Sequence, residues 1–300
     1  MKKLKCLIIG YGSSGRRYAS IISKITPKKN IFILTRNQNC TFQTISDLKQ
    51  VTKIEFSLVI IASETYKHYG QLKFIEENFK KKLILVEKPI FHKNKKINIK
   101  NNKVFVGYNL RFDPMIIFLK KYIKNKKIIM SFLNCFSYLP NWRKNNNYKN
   151  SYSSEIKKGG GVTRDLSHEI DLATYLFHIK KIKFAANSKI SNLQINSDDF
   201  ASMLAIGKNN SKIMINLNYF SDKEIRQIYL KVSNETIEVD LISRIIIINK
   251  KNSKKKIFFK KQNNQTYISL VKDLLNQKKI ICNYQQGLKV IGLISKFKFI

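Results

Sequence analysis

The sequence predicts an α/β protein in two parts: an amino-terminal parallel sheet covered by helices, then an α/β region built on an open, mostly antiparallel sheet. Three observations predict it. Over residues 1–119 short, continuous apolar runs alternate with helical patterns, as parallel strands buried on both faces require. From Ile128 onward most segments alternate apolar and polar at a period of two, the mark of a sheet with one wetter face. Between the first apolar run and the first helical pattern stands a glycine-rich turn.

Taken in order, Leu4 to Ile9, Ile31 to Leu34, Leu58 to Ala62, Leu83 to Val86 and Val104 to Val106 read as strands of the first part. Ser14 to Ile25 reads as a helix, and Thr65 to Phe79 as a second whose Tyr69, Leu72, Ile75 and Phe79 share a face. Pro114 to Lys124 is helical, and the pattern changes after it, so the expected division is 1–119 and 120–300. In the second part Phe200 to Ile206, Lys212 to Asn218, Ile225 to Val232, Thr236 to Leu241 and Ile245 to Ile248 read as strands; Thr266 to Leu275 and Gln286 to Phe297 read as helices. The polar stretch Ser137 to Lys158 is long for a structureless connection, and loops of that length tend to be lids or disordered.

With 300 residues, 43% of them hydrophobic, the chain can bury a sizeable core. A formal net charge of +38 raises nucleic acid or an anionic membrane as partner. The charge is spread as Lys-Lys pairs among asparagines and isoleucines, the residue usage of an AT-rich genome, rather than gathered into a patch. No basic helix, zinc-finger spacing or paired-aromatic motif concentrates it, so no specific nucleic acid is expected. The densest cluster, Lys250-Lys251 with Lys254-Lys255-Lys256, attracts polyanions only nonspecifically, while an anionic small substrate gains from the field.

The four cysteines, Cys6, Cys40, Cys135 and Cys282, form no CxxC pair, and the four histidines show no metal-ligand spacing. Neither a disulfide framework nor a metal site is expected. Met1 to Ile9 is too short an apolar run for a signal peptide, and no segment is long and apolar enough to span a bilayer. A reduced, cytoplasmic compartment is the expectation.

Gly10-Tyr11-Gly12-Ser13-Ser14-Gly15 follows the first strand directly and opens the first helix, the setting of a dinucleotide-binding turn. Gly10 permits the tight turn, Gly12 lets bare backbone approach a pyrophosphate, and Gly15 lets helix pack on strand. The second strand ends in Thr35-Arg36, where an acidic residue would hold a free ribose 2′-hydroxyl. Arg36 can instead meet a 2′-phosphate, which favours NADP over NAD; the alternative is a solvated surface arginine.

Val86-Glu87-Lys88-Pro89 ends the fourth strand, and a lysine there can polarise a substrate oxygen and favour a developing alkoxide. Taken alone, Lys88 is far more readily a surface charge in so basic a chain. Gly159-Gly160-Gly161 feeds a helix running to about Phe177 in which Asp165, His168 and Asp171 step by three, placing Asp165 and His168 on one face. A histidine there can take a hydroxyl proton while a carboxylate orients it or binds substrate; a capped helix with a satisfied histidine is the plainer reading. Trp142, beside Arg143, suits a sugar face next to an anionic group or serves as a hydrophobic anchor for the loop.

The order of nucleotide turn, Glu87-Lys88-Pro89, and Gly159-Gly160-Gly161 followed by Asp165 and His168 resembles the Gfo/Idh/MocA oxidoreductase family. Val106 to Pro114 resembles its interdomain segment and Gln286 to Val290 its carboxyl-terminal helix, so the resemblance spans essentially the whole chain. It implies a Rossmann domain, a second α/β domain often used for oligomerisation, and oxidation or reduction of sugars with NAD or NADP. It implies that Lys88 and His168 are catalytic and that Asp165 binds substrate or supports His168. Glu87 would line the nicotinamide pocket, Ala62 and Ser63 would follow the third strand beside the cofactor, and Asn109 and Arg111 are candidate groove residues.

The chain departs from the family pattern in its three-residue Asp165–His168 spacing, where many members have four, and in Glu64, where proline or asparagine is frequent. Leu139 to Ser153 is similar to a subgroup associated with bacterial surface-glycan genes, which implies a place in glycan biosynthesis. Because the family also includes a dinucleotide-binding corepressor, a catalytically silent regulator is the alternative.

Overall fold

The computed structural model describes residues 4–37, 39–142, 147–276 and 280–300, which divide into two compact units. The first comprises residues 1–109 and 267–291, the second 110–266 and 292–300. The chain therefore leaves the first unit ten residues before the boundary expected at 119, and returns to it near the carboxyl terminus.

In the first unit the strands are β1 (Cys6–Ile9), β2 (Ile31–Leu34), β3 (Gln43–Ile45), β4 (Leu58–Ile61), β5 (Leu83–Val86) and β6 (Lys103–Val106). They lie in the order β6-β5-β4-β1-β2-β3, all parallel, with the short strand Cys282–Asn283 antiparallel on the β6 edge. β1 and β4 are buried along their whole length, as continuous apolar runs predict. Each fully buried Ile or Leu there contributes roughly 1.5–3 kcal/mol. Helices α1 (Ser13–Ile22) and α2 (His68–Asn78) follow β1 and β4. Because β2 and β4 flank β1, the crossovers leave β1 in opposite directions and open a switch point at its carboxyl end.

The second unit carries helices α3 (Pro114–Tyr122), α4 (Val162–Asp165) and α5 (Ser167–Phe177). Its strands are β7 (Ile128–Tyr138), β8 (Lys181–Ser188), β9 (Phe200–Ile206), β10 (Lys212–Asn218), β11 (Phe220–Val232), β12 (Glu235–Asp240), β13 (Ile245–Lys250) and β14 (Ser253–Phe258). The sheet runs β14-β13-β12-β11-β7-β10-β9-β8, closed by the short strand Lys298–Phe299. Pairing is antiparallel except between β7 and β10 and between β8 and Lys298–Phe299. The expected two-part α/β architecture is thus the observed one.

Three features differ from expectation. Lys254, Lys255 and Lys256, the densest basic cluster, stand exposed on the edge strand β14, where charge discourages pairing with another chain. The described part of the stretch Ser137 to Lys158 is a succession of short 3₁₀ turns, pinned by hydrogen bonds such as Ser197 Oγ to the Ser153 carbonyl at 2.8 Å, rather than a structureless loop. The helix expected to run unbroken to Phe177 is interrupted at Leu166, whose φ of −93° and ψ of 24° are not helical.

Candidate active site

The sheet itself lines up the first group of candidate residues. Register places Leu34, Ile9, Ile61, Val86 and Val106 on one row of rungs at the carboxyl edge. Ladder hydrogen bonds continue one residue further: Gly10 N–H to Leu34 O at 3.0 Å, Ala62 to Ile9, Glu87 to Ile61 and Gly107 to Val86, each of the last three at 2.8 Å. Gly10, Ala62, Ser63, Glu87 and Lys88 are thereby fixed along a single edge at the switch point. Thr35, whose N–H bonds Ile45 O at 3.0 Å, and the exposed Arg36 continue that edge beyond β2.

The three glycines of the turn differ in what they meet. Gly10 has φ of +99°, and a Cβ on it would lie 2.7 Å from the Ser63 backbone nitrogen. A Cβ on Gly15 would collide with the Gly10 carbonyl. A Cβ on Gly12 would meet nothing within 4 Å, so no packing within the described chain demands glycine there. Gly12 and Ser13 are exposed at the start of α1, which has no side-chain cap and no acidic residue in its first turn. That end carries partial positive charge and open donors suited to an anion. An end of this kind, formed by Gly12, Ser13 and Ser14, fits an anionic group such as the pyrophosphate of a dinucleotide.

Glu87, 7% exposed, accepts a hydrogen bond from the Tyr18 hydroxyl at 2.7 Å and one from the Lys88 backbone N–H at 3.2 Å. Burial pushes its carboxyl above the usual range, opposed by Tyr18 and the Lys88 charge. Lys88 is half-buried, and its bond to Pro89 is cis. His68, at the start of α2, is 1% exposed with its Nε2 3.0 Å from the Ser63 carbonyl and its Nδ1 3.2 Å from that of Pro89.

In the second unit, the glycine turn exists because Asp198 needs the space. Gly161 has φ of +113°, and a Cβ there would run into the Asp198 carboxylate. Asp198 accepts from Thr163 N–H at 3.0 Å through its side chain and from Val162 N–H at 2.9 Å through its carbonyl, capping α4 across the chain. Asp165 ends α4 and accepts a 2.6 Å hydrogen bond from Tyr219, whose ring stands edge-on to Trp142 at 5.2 Å. Because Leu166 breaks the helix, Asp165 and His168 belong to different helices and do not share one continuous face, correcting the geometry read from their spacing.

His168, 9% exposed, sits on α5, a helix anchored by two arginines. Glu169 accepts from Arg226 Nε at 2.7 Å. Asp171 receives Arg111 in a two-pronged pair at 2.6 and 2.9 Å. Arg111 is 1% exposed and stacks on Tyr175, its centre 4.6 Å from the ring. Its guanidinium holds α5 through this pair. Asn109 is buried in the 3₁₀ turn Asn109–Phe112, and Trp142 is exposed at 38%. Arg143 lies outside the described residues.

His68, Tyr18, Tyr219 and Asp198 escaped the sequence reading, because each acts through a partner remote in the chain. The adjacent acids Asp198-Asp199, in a chain with only 19 acidic residues, were the one local signal available. Cys6 is wholly buried in β1 and its thiol is pushed well above the usual range by desolvation, so it is inert packing. Among the described residues no cluster of His, Cys, Asp or Glu could hold a metal ion, and no helix is long and apolar enough to cross a membrane.

With this geometry in hand, the fold is shared along nearly its whole length with solved dehydrogenase structures. Levoglucosan dehydrogenase in complex with NADH matches with a TM-score of 0.82 at 16% identity, over 97% of this chain and 95% of that one. UDP-N-acetylglucosamine 3-dehydrogenase GnnA from Acidithiobacillus ferrooxidans matches at 0.77 and 14% identity, over 99% and 97%. The WlbA dehydrogenase from Bordetella pertussis, in complex with NADH and UDP-GlcNAcA, matches at 0.77 and 15% identity, over 98% and 95%. At such identity the likeness is one of fold. No family model and no curated protein sequence matches the chain.

Proposed function

We propose that this chain is an NAD(P)-dependent oxidoreductase of the Gfo/Idh/MocA type that moves hydride between nicotinamide and the hydroxyl or carbonyl carbon of a sugar or nucleotide sugar. The observation that carries the reading is Gly12: exposed at the open start of α1, on the switch-point edge, with nothing in the described chain for a side chain to strike. Solved proteins of the same fold are in complex with NADH, one of them also with UDP-GlcNAcA.

Bound nicotinamide supplies the hydride acceptor or donor. In oxidation the carbinol C–H bond breaks with its electron pair leaving as hydride, and the hydroxyl proton passes to His168. Lys88 hydrogen-bonds that oxygen and stabilises alkoxide character. Asp165, held by Tyr219, orients His168 or binds a neighbouring hydroxyl, and Glu87 shapes the nicotinamide pocket. Thr35 and Arg36 face the adenosine ribose, Arg36 favouring a 2′-phosphate and thus NADP. Asn109, Trp142 and Arg143 contact substrate in the same proposal. Self-association through the second sheet, on which Ile129 and Phe184 are exposed, a cytoplasmic setting and a role in surface-glycan synthesis complete it.

The test is nicotinamide absorbance on mixing enzyme and cofactor with a panel of free sugars and uridine diphosphate sugars, Lys88→Met alongside. Turnover on one class, abolished in Lys88→Met, is expected. Tight nucleotide binding with no turnover on any member would instead support the silent regulator.

A further inference from the structure

The segment that carries Lys88 is held from both ends by buried side chains. On one side the Tyr18 hydroxyl fixes Glu87. On the other, the His68 ring lies between two neighbouring strand ends: its Nε2 is 3.0 Å from the Ser63 carbonyl after β4, and its Nδ1 is 3.2 and 3.3 Å from the Pro89 and Ile90 carbonyls after β5. Ser63 also abuts Gly10, so the ring spans from the nucleotide turn's neighbour to the residues just past Lys88.

We propose that His68 is a positioning residue for Lys88: its Nδ1 contact to the Pro89 and Ile90 carbonyls sets the height of the Lys88 loop against the nicotinamide end of the cofactor. The proposal rests on the functional reading above. All three groups facing the ring are acceptors, and the neutral imidazole that burial favours carries a single N–H; in the proposal that proton sits on Nδ1 and is donated toward Pro89 and Ile90, so an apolar replacement removes the donor from those buried carbonyls and frees the loop to move. Burial pulls the imidazole below its ordinary range while the three carbonyls and Glu64, itself paired to Lys67 at 2.9 Å, pull the other way.

The experiment uses NADH as probe, reading affinity and the emission of the bound nicotinamide separately in wild type, His68→Asn, His68→Gln and His68→Phe. An asparagine amide can take the place of Nδ1, a glutamine amide that of Nε2. Affinity should hold within about threefold in all variants, since the pyrophosphate turn is untouched. Emission should stay near wild type in His68→Asn and fall toward that of free NADH in His68→Gln and His68→Phe. If His68→Phe does not fold, the Asn–Gln contrast carries the test, and equal emission in those two overturns the proposal. Lys88→Met should lower emission as well, and combining it with His68→Gln should add nothing further; additive losses would show that His68 does not act through Lys88. A wild-type protein that binds no nicotinamide nucleotide would overturn the functional reading itself, an outcome distinct from these.

Discussion

The Tyr219 hydroxyl donates to Asp165 Oδ2 at 2.6 Å, joining residues 54 positions apart in the chain. Tyr219 is wholly buried, and desolvation together with the Asp165 charge raises its hydroxyl well above the usual range, so it remains a donor at any physiological pH. Removing that donor tests the role of Asp165. Tyr219→Phe should lower turnover by about tenfold and stability by about 1–3 kcal/mol, with NADH affinity unchanged. Steady-state kinetics and denaturant melts read the two effects independently.

The glycines of the turn after β1 should separate by mechanism. Gly12→Val should abolish NADH binding and leave the melting temperature as it is, because its side chain enters open space. Gly10→Ala should destabilise the fold by more than about 1 kcal/mol, since it meets the Ser63 backbone at a φ of +99°. Thermal melts paired with nucleotide titrations distinguish them.

Arg111 and Asp171 form a buried pair, so removing one partner strands a charge. Arg111→Met should cost about 3–5 kcal/mol, and Arg111→Met with Asp171→Leu should cost less than the single change. A double-mutant cycle by urea unfolding checks this. The groove role expected of Arg111 would instead show as a raised KM in a fully stable Arg111→Met protein.

Lys120 gives the fold a pH dependence at the alkaline end. Burial first, and the Arg111 charge second, lower its pKa from 10.5 to about 8, with Asp171 opposing. The unfolded chain therefore holds more protons between those values, and the Lys120 contribution to stability rises as pH rises from about 8 to 10.5. Lys120→Met should remove that rise, so that the stability difference between wild type and variant changes steadily across the window; a difference independent of pH would contradict it.

Much of this architecture was legible in the chain, because β1 and β4 are apolar on both faces and β10 alternates cleanly. The misses are those where tertiary contacts decide. β3 has three residues, two of them exposed, and borrows its order from β2. β14 carries no strand pattern in the sequence because an edge strand can carry consecutive lysines. The break at Leu166 has no Gly or Pro to announce it, and α4 is capped by Asp198 from outside the local sequence. The glycine turn was readable because its spacing and its flanking strand and helix are local in sequence. The clamps around Lys88 were not, because Tyr18 reaches Glu87, and His68 reaches Pro89 and Ile90, only when the sheet forms.

The most direct test of the account is a fluorescence titration of the wild-type protein with NADH and NADPH at physiological salt, with Gly12→Val and Arg36→Ala alongside. Saturable binding lost in Gly12→Val, with a preference for NADPH that Arg36→Ala removes, is the predicted result. Binding of neither nucleotide by a folded wild-type protein, or equal binding by Gly12→Val, would contradict it.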